Sequence, residues 1–128
     1  MVVFTVINTV FCIVSLCSSY WYLKGDNLIK NSRILSFINA VITSIVSVVR
    51  YREYNDVGIQ QFSCKGQQLD DVTALFFTTY LFLDLGIGLL FYKSTINCLT
   101  GYVHHSLFFC LMIYIYIENL TRCSSLML

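Results

Sequence analysis

Apolar residues gather into four long runs along this chain, and short polar segments separate the runs. The runs cover residues 2–23, 34–49, 72–92 and 95–117. A helix needs about 20 mostly apolar residues to cross a bilayer, and a strand facing lipid would leave its backbone groups unpaired. The pattern therefore predicts an all-α polytopic transmembrane bundle with about four spans.

Composition agrees with a membrane location. Of the 128 residues, 57% are hydrophobic and 12% are charged, whereas soluble domains carry about 25% charged residues. The net charge of +1 supplies no basic field, so nucleic acid is not expected as a partner.

The basic residues do not predict which side of the membrane is cytosolic. With four spans, the segments 24–33 and 93–94 share one side, and the segments 50–71 and 118–128 share the other. Each side carries four lysine or arginine residues, so the positive-inside rule favours neither orientation.

Cysteines and loop charges predict little chemistry. Four of the six cysteines lie in or beside apolar runs, and none forms a C-x-x-C pair. The pattern favours small hydrophobic roles over a disulfide framework or a zinc site. The acidic pair at residues 70–71 and the charged stretch at residues 50–53 are expected to be solvated loop charges.

Ionisable residues inside the last two runs are the candidate site. Asp84 lies nine residues before the turn at Lys93, and His104 lies eleven residues after it. At 1.5 Å per residue the two lie about 13 and 16 Å deep. Charged groups in a membrane are costly, which makes such residues functional candidates. The sequence therefore predicts that Asp84 meets His104 or His105 across two antiparallel helices.

Polar residues also follow one face of the second run, at three- or four-residue spacing. Such a stripe is often helix-packing glue, and the alternative is the lining of a pocket shared with Asp84 and the histidines. Asn39 is expected in the same half of the bilayer as Asp84. The stripe consists of Ser32, Ser36, Asn39, Thr43 and Ser47.

The histidine spacing disfavours a metal or haem site. His104 and His105 point about 100° apart on a helix, whereas paired ligands on one helix want i, i+4 spacing. No cofactor is expected, and no nucleophile motif is present. The candidate chemistry is a histidine general base, oriented by Asp84, that deprotonates an amine or hydroxyl during acyl transfer.

Three stretches resemble the TLC-domain family of membrane proteins. They are residues 31–42 (NSRILSFINAVI), 80–84 (YLFLD) and 101–108 (GYVHHSLF). The family has a Ser-x-x-His-Ala element, then a Tyr-x-x-x-Asp-like element, then a His-His pair about twenty residues later. Asn39 stands where the family has the early histidine, and Glu118 is similar to an acidic residue near the end of the next helix.

The resemblance implies a helical bundle of the endoplasmic reticulum that acts on membrane lipids. Ceramide synthases of the family use the His pair to acylate a sphingoid base with acyl-CoA, which would make His104, His105 and Asp84 catalytic. Other members regulate lipid composition without turnover. Ser36, Asn39, Thr43 and Glu118 would then belong to a lipid pocket.

The implied organisation has three parts: a first transmembrane helix and loop (1–30), a TLC-like domain (31–121) and a tail (122–128). The family domain runs to about 200 residues with more spans. A reduced member, a truncated sequence and half of a homo-oligomeric bundle all fit this length. Three functions stay open: lipid sensing or composition control, N-acyl transfer, and a structural or assembly role.

Overall fold

The computed structural model describes residues 2–58, 63–64 and 67–126. It is 84% helical, and the described ranges contain no strand, which confirms the all-α prediction. The elements are α1 (Val2–Leu23), α2 (Leu28–Ser32), α3 (Ile34–Val57), α4 (Gln68–Phe91), a π-helical turn (Cys98–Val103), α5 (His104–Ile117) and α6 (Thr121–Ser125).

Four helical segments are long and apolar enough to cross a membrane, so the chain is an integral membrane protein. They match the four predicted runs, although the second is longer because α3 continues past residue 49 to Val57. The segments are Val3–Leu23, Leu28–Val57, Gln68–Phe91 and Cys98–Ile117.

Helix α4 occupies the centre of the bundle. It packs against α1, α3, α5 and α6, and its buried side chains include Ala74, Phe77 and Leu81. The facing surface of α1 buries Cys12 and Leu16, which follow the four-residue spacing of one helical face. Since α1 and α3 both pack against this helix, α4 positions every other span.

Helix α5 lies at the outside of the bundle. Met112 is its one buried residue, and large apolar side chains such as Leu107 and Ile117 are exposed. Such exposure suits lipid contact rather than water. The weak burial means that α5 is held mainly by its contact with α4.

The two ends of the bundle differ in their chemistry. At one end, called the disulfide end, Cys64 is bonded to Cys123, and the hydroxyl of Ser47 donates to the carbonyl of Ser125 at 2.9 Å. The disulfide corrects the sequence interpretation, which favoured unpaired cysteines. The bond escaped prediction because 59 positions separate the partners, and only the folding of α6 back onto α3 and α4 brings them together.

Two charged residues expected to be solvated are instead buried at the disulfide end. Arg50 and Asp70 form an ion pair, so the prediction of loop charges was wrong for both. Arg50 also pairs with Glu53, and Glu53 in turn pairs with Arg122 of α6. One of these pairs lies within α3, and the other two join this part of α3 to α4 and α6.

At the opposite end, called the loop-one end, segments 24–33 and 92–97 lie together. The hydroxyl groups of Tyr20 and Tyr92 are hydrogen-bonded there. Asn97 caps the π-helical turn, its side chain accepting from the amide of Leu99 at 2.9 Å. The fourth span therefore begins with a wider turn rather than with α-helix.

Candidate functional site

An Asp–His pair links α4 to α5 within the membrane-spanning segments. His105 Nδ1 lies 3.3 Å from Asp84 Oδ2, and each side chain is 16% exposed. A carboxylate beside an imidazole that can donate to it is less costly in a bilayer than an unpaired carboxylate. The pair is thus the polar focus of an otherwise apolar interface.

The two adjacent histidines face different surroundings. The ring of His105 turns toward α4, whereas His104 is exposed and stacks on Phe108 of its own helix, with ring centroids 4.6 Å apart. Only one of the two histidines therefore contacts Asp84. The sequence estimate placed His104 at the matching depth, but the azimuth of the helix brings His105 to the carboxylate.

Tyr80 supports the pair from the preceding turn of α4. Its ring meets the His105 ring edge-on at 6.0 Å between centroids, and its hydroxyl lies 3.2 Å from the Ser36 hydroxyl of α3. Tyr80 precedes Asp84 by four residues, so both lie on one face of α4. Three helices therefore contribute polar groups to the same region.

Two adjoining cavities border the pair. The smaller, of about 40 Å³, lies between α1, α2 and α4, and the larger, of about 170 Å³, lies against the π-helical turn. Both are lined by Ser32, Asp84 and Ile96, and His105 lines the larger one. Asn97 and Thr100 add polar groups to the larger cavity.

A third cavity of about 300 Å³ opens at the loop-one end. It shares Tyr20, Asn31 and Tyr92 with the smallest cavity. Lys24 stands at its edge, with Nζ 3.7 Å from the centroid of the Trp21 ring. The hydrogen-bonded tyrosines thus stand between the interfacial cavity and the buried ones.

An apolar groove lies deeper in the membrane, between α1, α4 and α5. Its volume is about 280 Å³, and its walls include Ile13, Leu75, Phe82 and Phe109. Phe109 follows His105 by four residues, so it lies one turn further along the same face of α5. The groove and the cavities beside His105 share no lining residue, so α5 is what connects the two regions.

Several residues predicted for a lipid pocket lie elsewhere. Asn39 and Thr43 are buried in α3, where the Thr43 hydroxyl donates to the Asn39 carbonyl at 2.9 Å, and neither lines the cavities beside Asp84. Glu118 is exposed at the far end of α5, about 20 Å along the helix from His105. Ser36 reaches the region only through its contact with Tyr80.

Some residues that shape the site carried little sequence signal. Ile96 belongs to a short linker, and its side chain rests where a methyl group on Gly88 or Gly101 would fall. Nothing in an apolar residue of a linker indicates such a role. The sequence did point to Ser32 and Tyr80, because Ser32 belongs to the polar stripe and Tyr80 precedes Asp84 by four residues.

The site's chemistry is that of an oriented imidazole. A carboxylate can only accept hydrogen bonds, so Asp84 favours the tautomer with the proton on Nδ1 of His105. Nε2 is then an acceptor for a hydroxyl or amine of a ligand. Across the described residues, no cluster of three histidine, cysteine or acidic side chains is arranged to hold a metal ion.

The chain was compared with protein families, curated proteins and solved structures. No protein-family model, curated protein or solved structure matches the chain.

Proposed function

We propose that this protein handles a membrane lipid and acts in lipid sensing or in the control of membrane lipid composition. The observation that carries the proposal is the Asp84–His105 pair with an apolar groove one helical turn deeper along α5. A lipid offers the same arrangement, a polar group followed by an apolar chain. The TLC-like stretches at residues 31–42, 80–84 and 101–108 support the same assignment.

The polar group that fits the pair is a hydrogen-bond donor. With Nδ1 directed at Asp84, Nε2 of His105 accepts from a hydroxyl or an amine. Ser32, Asn97 and Thr100 around the cavities supply further hydrogen-bonding partners for a small headgroup. Lipids with a free hydroxyl or amine near the acyl boundary are therefore the proposed ligands, and the endoplasmic reticulum is the proposed location.

The alternative is an N-acyltransferase that uses acyl-CoA and a sphingoid base. In that reaction the amine nitrogen attacks the thioester carbonyl and His105 takes a proton from the amine. The carbon–sulfur bond then breaks, and His105 returns the proton to sulfur so that CoA leaves as the thiol. The oriented Nε2 of His105 favours this reading. Two features favour handling without turnover: His104 stands outside the site, and Asn39 replaces the early histidine of the family.

The two histidines offer a matched test. The lipidome of a host membrane is compared for the wild type, His105→Ala and His104→Ala. Loss of a wild-type lipid change with His105→Ala but not with His104→Ala would support the proposal. An unchanged lipidome with all three proteins would point to a structural role, and equal loss with both variants would contradict the placement of the site.

The groove is tested with a photoactivatable long-chain lipid that carries a free hydroxyl. Thr78→Trp places a bulky ring at the groove, while Leu107→Trp places the same ring on an exposed face of α5. Crosslinking should fall several-fold in the first variant and stay at the wild-type level in the second. Equal crosslinking in both would remove the groove from the proposal.

A further inference from the structure

We infer that the loop-one end faces the cytosol and that the Asp84–His105 site takes its lipid from the cytosolic leaflet. The leaflet assignment rests on the proposed function, whereas the orientation rests on the redox states of the cysteines at the two bundle ends. The basic residues of the sequence leave the orientation open, since they divide equally between the two sides.

The disulfide is the first observation. Cys64 and Cys123 are bonded at the end where segments 63–64 and α6 meet. Disulfides persist in oxidising compartments such as the endoplasmic reticulum lumen and the cell exterior, and they are rare in the cytosol. The disulfide end therefore faces the lumen or the exterior.

The remaining cysteines agree with this assignment. Cys98 begins the π-helical turn at the loop-one end, and it is exposed with a free thiol. An exposed free thiol is stable in the reducing cytosol. The oxidised cysteines thus lie at the disulfide end and a reduced cysteine lies at the loop-one end, as expected if the loop-one end faces the cytosol.

Ion pairing differs between the two ends of the bundle. At the disulfide end Arg50 is paired with Asp70, and Arg122 with Glu53, so two of the four positive charges there are neutralised. Among the described residues, no ion pair involves the basic side chains of the loop-one end, which are Lys24, Lys30, Arg33 and Lys93. The positive-inside rule counts lysine and arginine residues rather than net charge, so the orientation rests on the cysteines and not on these pairs.

The depth of the site sets the leaflet. Asp84 lies seven residues before Phe91, the last residue of α4, or about 10 Å from the loop-one end of the helix. Half of a hydrocarbon core is about 15 Å thick. The pair therefore lies in the leaflet nearer the loop-one end.

A series of cavities leads from that end to the pair. The interfacial cavity beside Lys24 adjoins the smallest cavity at Tyr20 and Tyr92, and the smallest adjoins the larger at Asp84 and Ile96. Polar side chains such as Asn31, Ser32 and Asn97 occur along this series among apolar ones, whereas the groove deeper in the membrane is almost wholly apolar. Shared lining residues therefore connect the loop-one interface with Asp84, and the hydrogen-bonded Tyr20 and Tyr92 lie between them.

Native cysteines provide the test of orientation. Sealed microsomes, with the cytosolic face outward, are treated with a membrane-impermeant maleimide, using the wild type and Cys98→Ser. We expect labelling of the wild type without permeabilisation and its loss in Cys98→Ser. Labelling that requires permeabilisation would overturn the orientation.

Thiol counting in denaturant tests the disulfide. Alkylation with a maleimide polymer should add four labels to the denatured wild type and six after reduction, since four cysteines are free and two are bonded. Six labels without reduction would remove the redox basis of the inference. Four labels would support it.

The leaflet assignment and the proposed function fail separately. If Cys98 is labelled from the cytosolic side but His105→Ala leaves the lipidome as the wild type does, the lipid function is wrong and the orientation stands. If Cys98 is protected but His105→Ala abolishes a lipid change, the function stands and the leaflet assignment is overturned.

Discussion

Arg50 Nε lies 2.7 Å from Asp70 Oδ1, and this contact joins the last turns of α3 to the first turn of α4. The Arg50 side chain is 7% exposed and that of Asp70 is fully buried. A carboxylate buried this deeply depends on its partner for stability, because leaving one charge unpaired costs several kcal/mol.

Removing the charge of Asp70 should therefore destabilise the bundle strongly. We expect Asp70→Asn to lower the free energy of unfolding by about 3–5 kcal/mol, measured by thermal unfolding in detergent. Arg52→Gln is the matched control, since Arg52 is exposed. If Asp70→Asn unfolds at the same temperature as Arg52→Gln, the ion pair contributes nothing.

The disulfide should contribute a comparable amount. Its partners are 59 positions apart, and a loop of that length corresponds to a stabilisation of up to ~4 kcal/mol. Reduction, or the change Cys64→Ser, should lower the unfolding temperature, and Cys98→Ser should not. If reductant left the unfolding temperature of the wild type unchanged, this expectation would be contradicted.

The hydroxyl contact between Ser36 and Tyr80 can be separated from the ring contact with His105. Tyr80→Phe keeps the ring and loses one hydrogen bond, which should cost about 1 kcal/mol with little change in lipid crosslinking. Ser36→Ala should cost the same, and the double variant no more than either alone. Full additivity in this cycle would show that the two hydroxyl groups do not interact.

Ile96 should be sensitive to the glycines that make room for it. A methyl group at Gly101 would overlap Ile96 Cγ2, next to the branched carbon, whereas one at Gly88 would overlap the mobile Cδ1. We expect Gly101→Ala to destabilise by about 1–3 kcal/mol and to reduce lipid crosslinking, with a smaller effect for Gly88→Ala.

Gly86 provides the control for both glycine variants. Nothing lies within 4 Å of a methyl group added there, so Gly86→Ala should stabilise α4 by about 0.5–1 kcal/mol. If Gly86→Ala lost as much stability as Gly101→Ala, the overlap with Ile96 would not explain the effect of Gly101→Ala, and helix propensity would not predict that of Gly86→Ala. Thermal unfolding in one detergent compares all three variants.

The spans could be read from the sequence because each is a continuous apolar run of membrane length. The start of α1 and the start of α3 fall where the runs begin. The disulfide end could not be read in the same way. Arg50 meets Asp70, and Cys64 meets Cys123, only through tertiary folding. A linear pattern of polar residues looks the same whether the residues are solvated or paired.

The candidate site was partly predictable for a related reason. Distance from the turn at Lys93 fixes how deep a residue lies, so Asp84 and the histidine pair could be matched in depth. Azimuth depends on the local winding of the chain, which apolar patterning does not reveal. Asn39 and Thr43 belong to the same stripe as Ser32, but Ser32 ends α2 whereas they lie further along the chain in α3. The stripe alone did not show where the cavities end.

The π-helical turn at Cys98–Val103 decides which histidine faces Asp84. A π turn holds about one residue more than an α turn, which displaces everything after it by about 100°. Wound as α-helix throughout, the same six residues would turn His104, not His105, toward Asp84. Deleting one of the six residues would convert the turn to α-helix and keep His105 in place. The site should therefore tolerate a one-residue deletion in this segment, but not the rewinding of all six residues as α-helix.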